Sequence, residues 1–483
     1  MISDNFEKAK AFFEDGLKYF QEEKFYQAEI NFLKSLDLVP QRLSTIRNLI
    51  SIYIKTNEVE KLDNLLEKNM KLHDLIELKY GLAFNFFFKK NYSKSMTLCQ
   101  ELLNHKDFKE TIEDLLASNF KKKKLFFDAL TIYKKKLKIK KDYLVFYNIG
   151  NLFSDLGRVN TAYYYYKKSL ELKKDFSTLW NLSICVLKLK NFEYGFLLYE
   201  NRWNKKENPG KKKFSQIRIL NSLKEIKNQK ILVWDEQGLG DTIQFSRFLI
   251  DLLNFSKNIT LVVDKKLKEI LNNLDKNITV TDYENLNSEN FEYQIPICSL
   301  PKLLKIKNIK DIKYNKLEIS KVKQFKLEQT DNLRVGIAWS GNPNYTLDEY
   351  RSIPFKNFKK LLNIKGINFY KLSQNIRRDE YLEYNSFNNL FDFGSKSIFE
   401  ISQLMDELDL VISSDTSIIH LAGILNVKSF LLLNFNSDWR WFNDTKKTIW
   451  YPSVSIIKQK KLGEWASVFT ELETKLKKLV NSK

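Results

Sequence analysis

From residue 6 to about residue 205, apolar side chains return every three or four positions, the spacing that draws one stripe along a helix. Proline is almost absent here: Pro40 is the only one before Pro209, and it closes a helix-like stretch. The pattern also repeats. Gly16 is followed twelve residues on by Ala28, then by Phe32, Leu36 and Pro40. Gly150 is followed at the same distance by Ala162, then by Tyr165, Leu170 and Leu172, and a third copy runs from Trp180 through Phe192 and Gly195 to Tyr199. Small residues at such positions let paired helices approach closely, and aromatics fill the gaps between hairpins. Copies from 45 to 135 are degenerate, so the pattern predicts an all-helical solenoid more firmly than a repeat number. In the run Tyr163 to Tyr166, helical geometry turns two or three of the four rings into the core, which argues against a binding stripe.

After Pro209 and Gly210 the periodicity changes. Short apolar runs alternate with helical stretches, the signature of βαβ units. Gln229–Trp234, Ile259–Val263, Ile278–Val280 and the run near Tyr293–Ile297 read as strands, with helices expected over 242–255 and 265–274. A Lys-rich connection follows at about 305–331. A second series then begins at Leu333–Trp339 and continues through 369–372, 390–393, 410–413 and 430–433, with helices at about 398–407, after Ser417, and from Trp465 to Val480. The expected fold is therefore α plus α/β and multidomain. Residues 1–210 form the helical solenoid, 211–330 a first Rossmann-like domain and 331–483 a second with a closing helix.

The 483 residues suffice for about three domains. The first residues lack a basic segment followed by an apolar run, and no stretch approaches the length of a membrane span, so secretion is not expected. Cys99, Cys185 and Cys298 are widely separated and have no metal-ligand spacing, which fits a reducing, cytoplasmic setting or the inner face of a membrane. The formal charge of +21 would attract anions. Lys121–Lys124 and Lys134–Lys141, however, fall within helical pattern and read as solvated faces, so nucleic acid is not an expected partner.

Two strand-to-helix junctions carry the candidate chemistry. After Trp234 the chain reads Asp-Glu-Gln237-Gly238-Leu-Gly240-Asp241. Glycine permits a tight turn and exposes amides that can hold an anion or an oxygen, and Asp241 stands at the strand end as a base or as a plain helix cap. Asp235 and Glu236 share the loop and are alternative acceptor contacts or bases. Asp264 ends the second strand, but the glycine spacing is not that of a dinucleotide fingerprint. The second junction is Ser413-Ser-Asp415-Thr416, leading into a helix that carries His420, Ala422 and Gly423. Thr416 and the helix start can bind phosphate, Asp415 can hold a ribose hydroxyl or brace the loop, and His420 lies one turn on along the same side. His420 is either a donor to the ligand or a satisfied core residue, and as the only His beyond residue 105 it belongs to no metal cluster. Ser340, Gly341 and Asn342 follow the first strand of the last domain as a small polar loop, with Arg351 and Lys371 as cations for a departing phosphate and Gln374 as a hydrogen-bonding side chain. Asp438-Trp-Arg-Trp441 and Trp450-Tyr-Pro either stack on a ligand or pin the end of the chain.

Taken together and in order, Gly238–Phe245, Ser299-Leu-Pro301, Gly336–Asn342, Arg351–Pro354, Leu372–Gln374, Asp415–Gly423, Asp438–Trp441 and Trp450–Ser453 resemble the motifs of bacterial heptosyltransferase-like glycosyltransferases of GT-B fold. More narrowly they resemble relatives fused to tetratricopeptide repeats, whose period is about 34 residues. The likeness spans roughly residues 145 to 475. It implies a nucleotide sugar, UDP- or GDP-linked, as substrate, with no cofactor and no dedicated metal. The donor would sit on Ser340, Gly341, Asn342, Arg351, Lys371, Gln374, Asp415, Thr416, His420 and Gly423. The acceptor would meet the loop of Gln237, Gly238, Gly240 and Asp241, with Asp241 as general base and His420 as the second catalytic candidate. Inverting transfer to a protein or glycan hydroxyl is the expected reaction. The solenoid is expected to hold a protein partner or to support a homo-oligomer. The competing expectation is a repeat-based binding module whose sheet domains are inactive.

Overall fold

The computed structural model describes residues 2–69, 71, 75–204, 213–226, 229–287, 291–319, 327, 329–343, 348–374, 380, 387–394, 396–442 and 446–482. The change of style at Pro209-Gly210 lies outside them, as do residues 320–326 and 328 of the Lys-rich connection. The chain divides into two compact units, Met1–Leu152 and Phe153–Lys483.

The first unit is helical. Its helices are Ile2–Gln21, Phe25–Leu38, Leu43–Thr56, Val59–Lys68, Ile76–Phe88, Tyr92–Leu102, Lys109–Lys122 and Phe126–Ile139, and Tyr143–Asp155 carries the chain into the second unit. Regular hairpins thus continue through the stretch whose repeats are degenerate in sequence. The close approach inferred at Gly16 is real: a Cβ there would lie 2.6 Å from the ring of Phe32, and Phe32 and Ala28 are fully buried. Inside the stack Asn119 donates to Ser95 Oγ at 2.9 Å and Ser95 donates to the Ala83 carbonyl at 2.7 Å.

The second unit contains helices Val159–Leu172, Phe176–Lys188 and Phe192–Tyr199, then two parallel sheets. The chain is a TPR-like solenoid followed by a GT-B pair of Rossmann-like domains. In the first sheet the strands are β1 (Arg218–Ile219), β2 (Ile231–Trp234), β3 (Ile259–Val263), β4 (Ile278–Asp282) and β5 (Tyr293–Pro296), in the order β1-β5-β2-β3-β4. The second comprises β6 (Leu333–Ala338), β7 (Ile367–Lys371), β8 (Leu390–Phe391), β9 (Leu410–Ser414), β10 (Ser429–Leu433) and β11 (Val454–Lys458), in the order β11-β10-β9-β6-β7-β8. Counted from its own first strand, the second sheet is the doubly wound 3-2-1-4-5-6, which reverses direction between β6 and β9. The first sheet reverses between β2 and β5. Such reversals open a crevice beyond the carboxyl ends of the strands, where α/β proteins take ligands.

Parallel strands covered on both faces are apolar throughout, which explains runs such as Ile-Leu-Val-Trp at β2 and Ser-Phe-Leu-Leu-Leu at β10, every residue of which is buried. The helix expected over 242–255 is two short ones, Leu239–Phe245 and Arg247–Leu252. They part at Ser246, where the buried Arg247 guanidinium donates to the carbonyls of Gln244 and Trp450, both at 2.8 Å. The last helical hairpin belongs to the core of the sheets: Leu187, Phe192, Phe196 and Tyr199 join Ile231, Val233 and Phe245 in one apolar cluster.

Candidate active site

The loop after β2 and the helix after β9 meet. A Cβ on Gly240 would lie 2.8 Å from His420 Cδ2 and 3.4 Å from the Ser417 Cα, so only a residue without a side chain lets helix Leu239–Phe245 touch the first turn of helix Ser417–Ile424. Asp241, one residue further, therefore stands beside that turn. Its Oδ2 accepts the Gly238 amide at 3.0 Å, and its Oδ1 accepts from Arg440 Nη2. Its side chain keeps 22% exposure, against 9% for Arg440. Burial raises the carboxyl above its ordinary range, while Arg440 and the Gly238 amide pull the other way. Asp241 is thus both cap and ion-pair partner, and it retains an open edge.

Arg440 comes from the short 3-10 turn Trp439–Trp441 after β10. Asp438 caps this turn by accepting the Arg440 amide at 3.0 Å, and it also accepts Arg440 Nη1 at 2.8 Å. Trp439 packs against Phe196 and Tyr199, with ring centroids 5.9 and 6.2 Å away. The Asp438–Trp441 motif is therefore clamped between the last solenoid hairpin and Asp241.

At the second junction, Thr416 precedes helix Ser417–Ile424; of the first amides, that of Ile419 donates to the Thr416 carbonyl at 3.2 Å. The Thr416 hydroxyl lies 3.2 Å from Ser413 Oγ. Burial and the neighbouring Asp438 charge lift Asp415 to about 6. His420 is buried, with Nδ1 2.9 Å from the Tyr451 hydroxyl and its ring beside Trp441, and burial, with Arg440 and Arg247 nearby, holds it neutral by lowering its pKa well below the usual value. Gly423 meets Tyr451, where a Cβ would be 2.3 Å from the ring. Gly423→Ala should therefore cost about 1–3 kcal/mol by overpacking. Thermal denaturation checks this, and Tyr451→Leu in the same chain should recover part of the loss.

The loop after β6 joins the same group. Ser340 and Gly341 are buried and Asn342 is exposed. The Arg351 guanidinium covers Gly341, where a Cβ would fall 2.5 Å from Nη2, and it donates to the Asp415 carbonyl at 3.3 Å and to Asp348 at 3.1 Å. Lys371 and Gln374 lie further along the edge at β7 and β8, Lys371 paired with Asp392 at 2.5 Å and Gln374 donating to the Lys396 carbonyl at 3.2 Å. Gln237, at φ 65°, exchanges hydrogen bonds with the Tyr199 hydroxyl at 2.9 and 3.1 Å.

The two other acidic residues of the loop after β2 have partners. Asp235 accepts the Asp264 amide at 2.7 Å and the Tyr283 hydroxyl. Glu236 takes a bidentate pair from Arg202 at 2.7 and 2.8 Å. That guanidinium also reaches Glu200 and Ser299, each at 2.6 Å. Sequence reasoning passed over Arg202 and read Tyr199 only as a repeat position. The available signal was polar residues directly after the last helical repeat, too common a pattern to stand out. The cysteines are all free and buried. Among the described residues no group of three or more His, Cys, Asp or Glu could hold a metal, and no helix is long and apolar enough to cross a membrane.

No protein-family model matches the chain. No curated protein matches it either. Among solved structures, a tetratricopeptide repeat protein from Parabacteroides merdae is similar at TM-score 0.36 and 15% identity, covering 42% of this chain and 80% of that one. The iron-containing dodecameric glycosyltransferase TibC from enterotoxigenic E. coli gives TM-score 0.36 and 12% identity over 53% of this chain and 77% of its own. The E. coli heptosyltransferase WaaC, solved with ADP-2-deoxy-2-fluoro heptose, gives TM-score 0.36 and 10% identity over 51% and 99%. The fold stands on the chain's own topology: repeat helices, then two parallel sheets that each reverse their strand order, with helix Leu239–Phe245 touching the first turn of helix Ser417–Ile424.

Proposed function

We propose that the chain is a glycosyltransferase that moves a sugar from a nucleotide sugar to an acceptor hydroxyl. The observation that carries this reading is the contact of Gly240 with Ser417 and His420, which sets a carboxylate beside a helix start at the reversal point of a doubly wound sheet. In this reading the diphosphate lies at the first turn of helix Ser417–Ile424, near Thr416, Gly341 and Arg351, where oriented amides and a guanidinium stabilise the departing nucleoside diphosphate. The acceptor hydroxyl enters over Gln237–Asp241. As its oxygen bonds to the anomeric carbon and the bond to the diphosphate breaks, its proton passes to Asp241. Neutral His420 supplies a hydrogen bond at the sugar or phosphate, its other nitrogen held by Tyr451. Lys371, Gln374 and Asn342 line the donor edge, and the reading calls on no metal. The solenoid presents a protein or glycan acceptor.

The test is stabilisation by UDP, GDP, ADP and CMP. One of them should raise the melting temperature saturably, and Thr416→Trp should remove the shift; no response to any would count against a donor site. Asp415 adds a pH signature. Its neutral form is the better neighbour for a diphosphate, so affinity should fall as pH rises through about 6, by up to tenfold per unit, and Asp415→Asn should flatten that fall.

A second reading, a repeat-based binding module, is favoured by one observation. A cavity of about 450 Å³ is lined by the helical turns Gly157–Thr161 and Lys188–Lys190. It predicts silence from the nucleotide panel.

A further inference from the structure

The Arg440 guanidinium is divided between two carboxylates that lie 197 residues apart, since Nη1 serves Asp438 and Nη2 serves Asp241, with 438 − 241 giving the separation. No acceptor among the described residues reaches its buried Nε. The first turn of helix Ser417–Ile424 is close as well: Asp415 and His420 both feel the Arg440 charge, and Gly240, next to Asp241, touches Ser417 and His420. Any anion that settles on that turn arrives beside a cation already committed to a carboxylate. Resting on the nucleotide-sugar reading above, we propose that Arg440 is a positioning residue whose Nη2 neutralises Asp241 while the cleft is empty and turns to the diphosphate when a donor enters, so that Asp241 becomes a stronger base only once the donor is bound.

The physical argument is one of competition. A carboxylate taken out of water binds a proton more tightly unless a counter-ion offsets the loss. Arg440 is that counter-ion, and it remains anchored by Asp438 and by its cation–π contact with Trp439 at 4.7 Å while the far end of the fork rotates. A diphosphate carries more charge than Asp241 and offers a guanidinium bidentate geometry. When Nη2 leaves, the proton affinity of Asp241 rises toward working pH, the range in which a general base is most effective. The charged and titratable groups around Asp241 are Arg440 and Asp438 from the turn after β10, Arg351 from the loop after β6, and Tyr199 and Cys298 from the side of the first sheet. Of the charged and titratable groups among the described residues, only Arg440 bonds to it.

The prediction is proton uptake on donor binding. Calorimetric titrations of the full chain with UDP-glucose, GDP-glucose and ADP-glucose, at pH 6 in buffers of different ionisation enthalpy, count the protons taken up. These diphosphate diesters have no ionisation of their own in that range. Asp415 and His420 also face the diphosphate, so the deciding comparison is with Asp241→Asn, an isosteric change. Wild type should take up a fraction of a proton more than Asp241→Asn. Arg440→Gln, which has no cation to hand over, should show the reduced uptake together with weaker binding. Saturable binding with equal uptake in wild type and Asp241→Asn would overturn the handover and leave the glycosyltransferase reading standing. Binding of none of the three sugars would overturn both.

Discussion

Asp241→Asn should lower sugar transfer by about 10²–10⁴-fold, the usual contribution of a positioned general base, while nucleotide binding is unchanged or slightly tighter. The substitution keeps the shape of the side chain and an oxygen able to accept the Gly238 amide, so the loop after β2 has no reason to rearrange. What disappears is the capacity to take the acceptor's proton. Asp241 belongs to the first sheet domain and the groups proposed to hold the donor to the second, and the loss should therefore fall on turnover. Tighter binding is the expected side effect, because Arg440 is then no longer shared with a carboxylate. The measurement is nucleoside diphosphate release beside a binding isotherm for the same preparation. Full turnover in the variant would remove Asp241 from the role of base.

The second large effect concerns stability. Arg202→Ala should cost about 3–5 kcal/mol, because it strands a buried carboxylate. Arg202 and Glu236 are only 4% and 7% exposed, and the same guanidinium ties in Glu200 and Ser299. The cluster links the end of the solenoid to the loop leading to Asp241, so the damage should reach the site as well as the fold. Arg202→Lys should restore little, since an ammonium cannot reproduce the bidentate pair. Urea denaturation followed by tryptophan fluorescence reads the second unit, where all eight tryptophans lie. A midpoint shift equivalent to less than about 1 kcal/mol would place this cluster with ordinary surface ion pairs.

The sheets were legible because buried parallel strands carry a local signal. Leu261–Val263 and Leu410–Ile412 are short apolar runs leading into polar turns, and both lie in strands. Strand β11 was missed: Val-Ser-Ile-Ile-Lys mixes alternation with a run and follows a stretch rich in turn residues. Strand β1 has only two residues and is defined by its partner Tyr293–Gln294, which no local pattern reveals. The break at Ser246 was invisible for a related reason. The apolar pattern runs straight through it, and the break is made by Arg247 reaching a carbonyl 203 residues away.

The candidate site shows the same division. The polar turns after β2, β6 and β9 could be read from sequence because the chemistry of a turn is local. That Gly240 is small because of His420, or Gly423 because of Tyr451, is a property of contacts across the fold. The pairing of Asp241 with Arg440 is of this kind too. Periodicity says nothing about residues 199 positions apart, and the Asp438–Trp441 motif offered stacking and structural roles equally until its neighbours were placed.

Amide hydrogen exchange with and without the stabilising nucleoside diphosphate tests most directly whether the two reversal points form one ligand-holding cleft. Simultaneous slowing over residues 238–243 and 414–421, with the Met1–Leu152 helices unaffected, is the predicted result. Slowing confined to the helical repeats, or to one of the two segments alone, would contradict it.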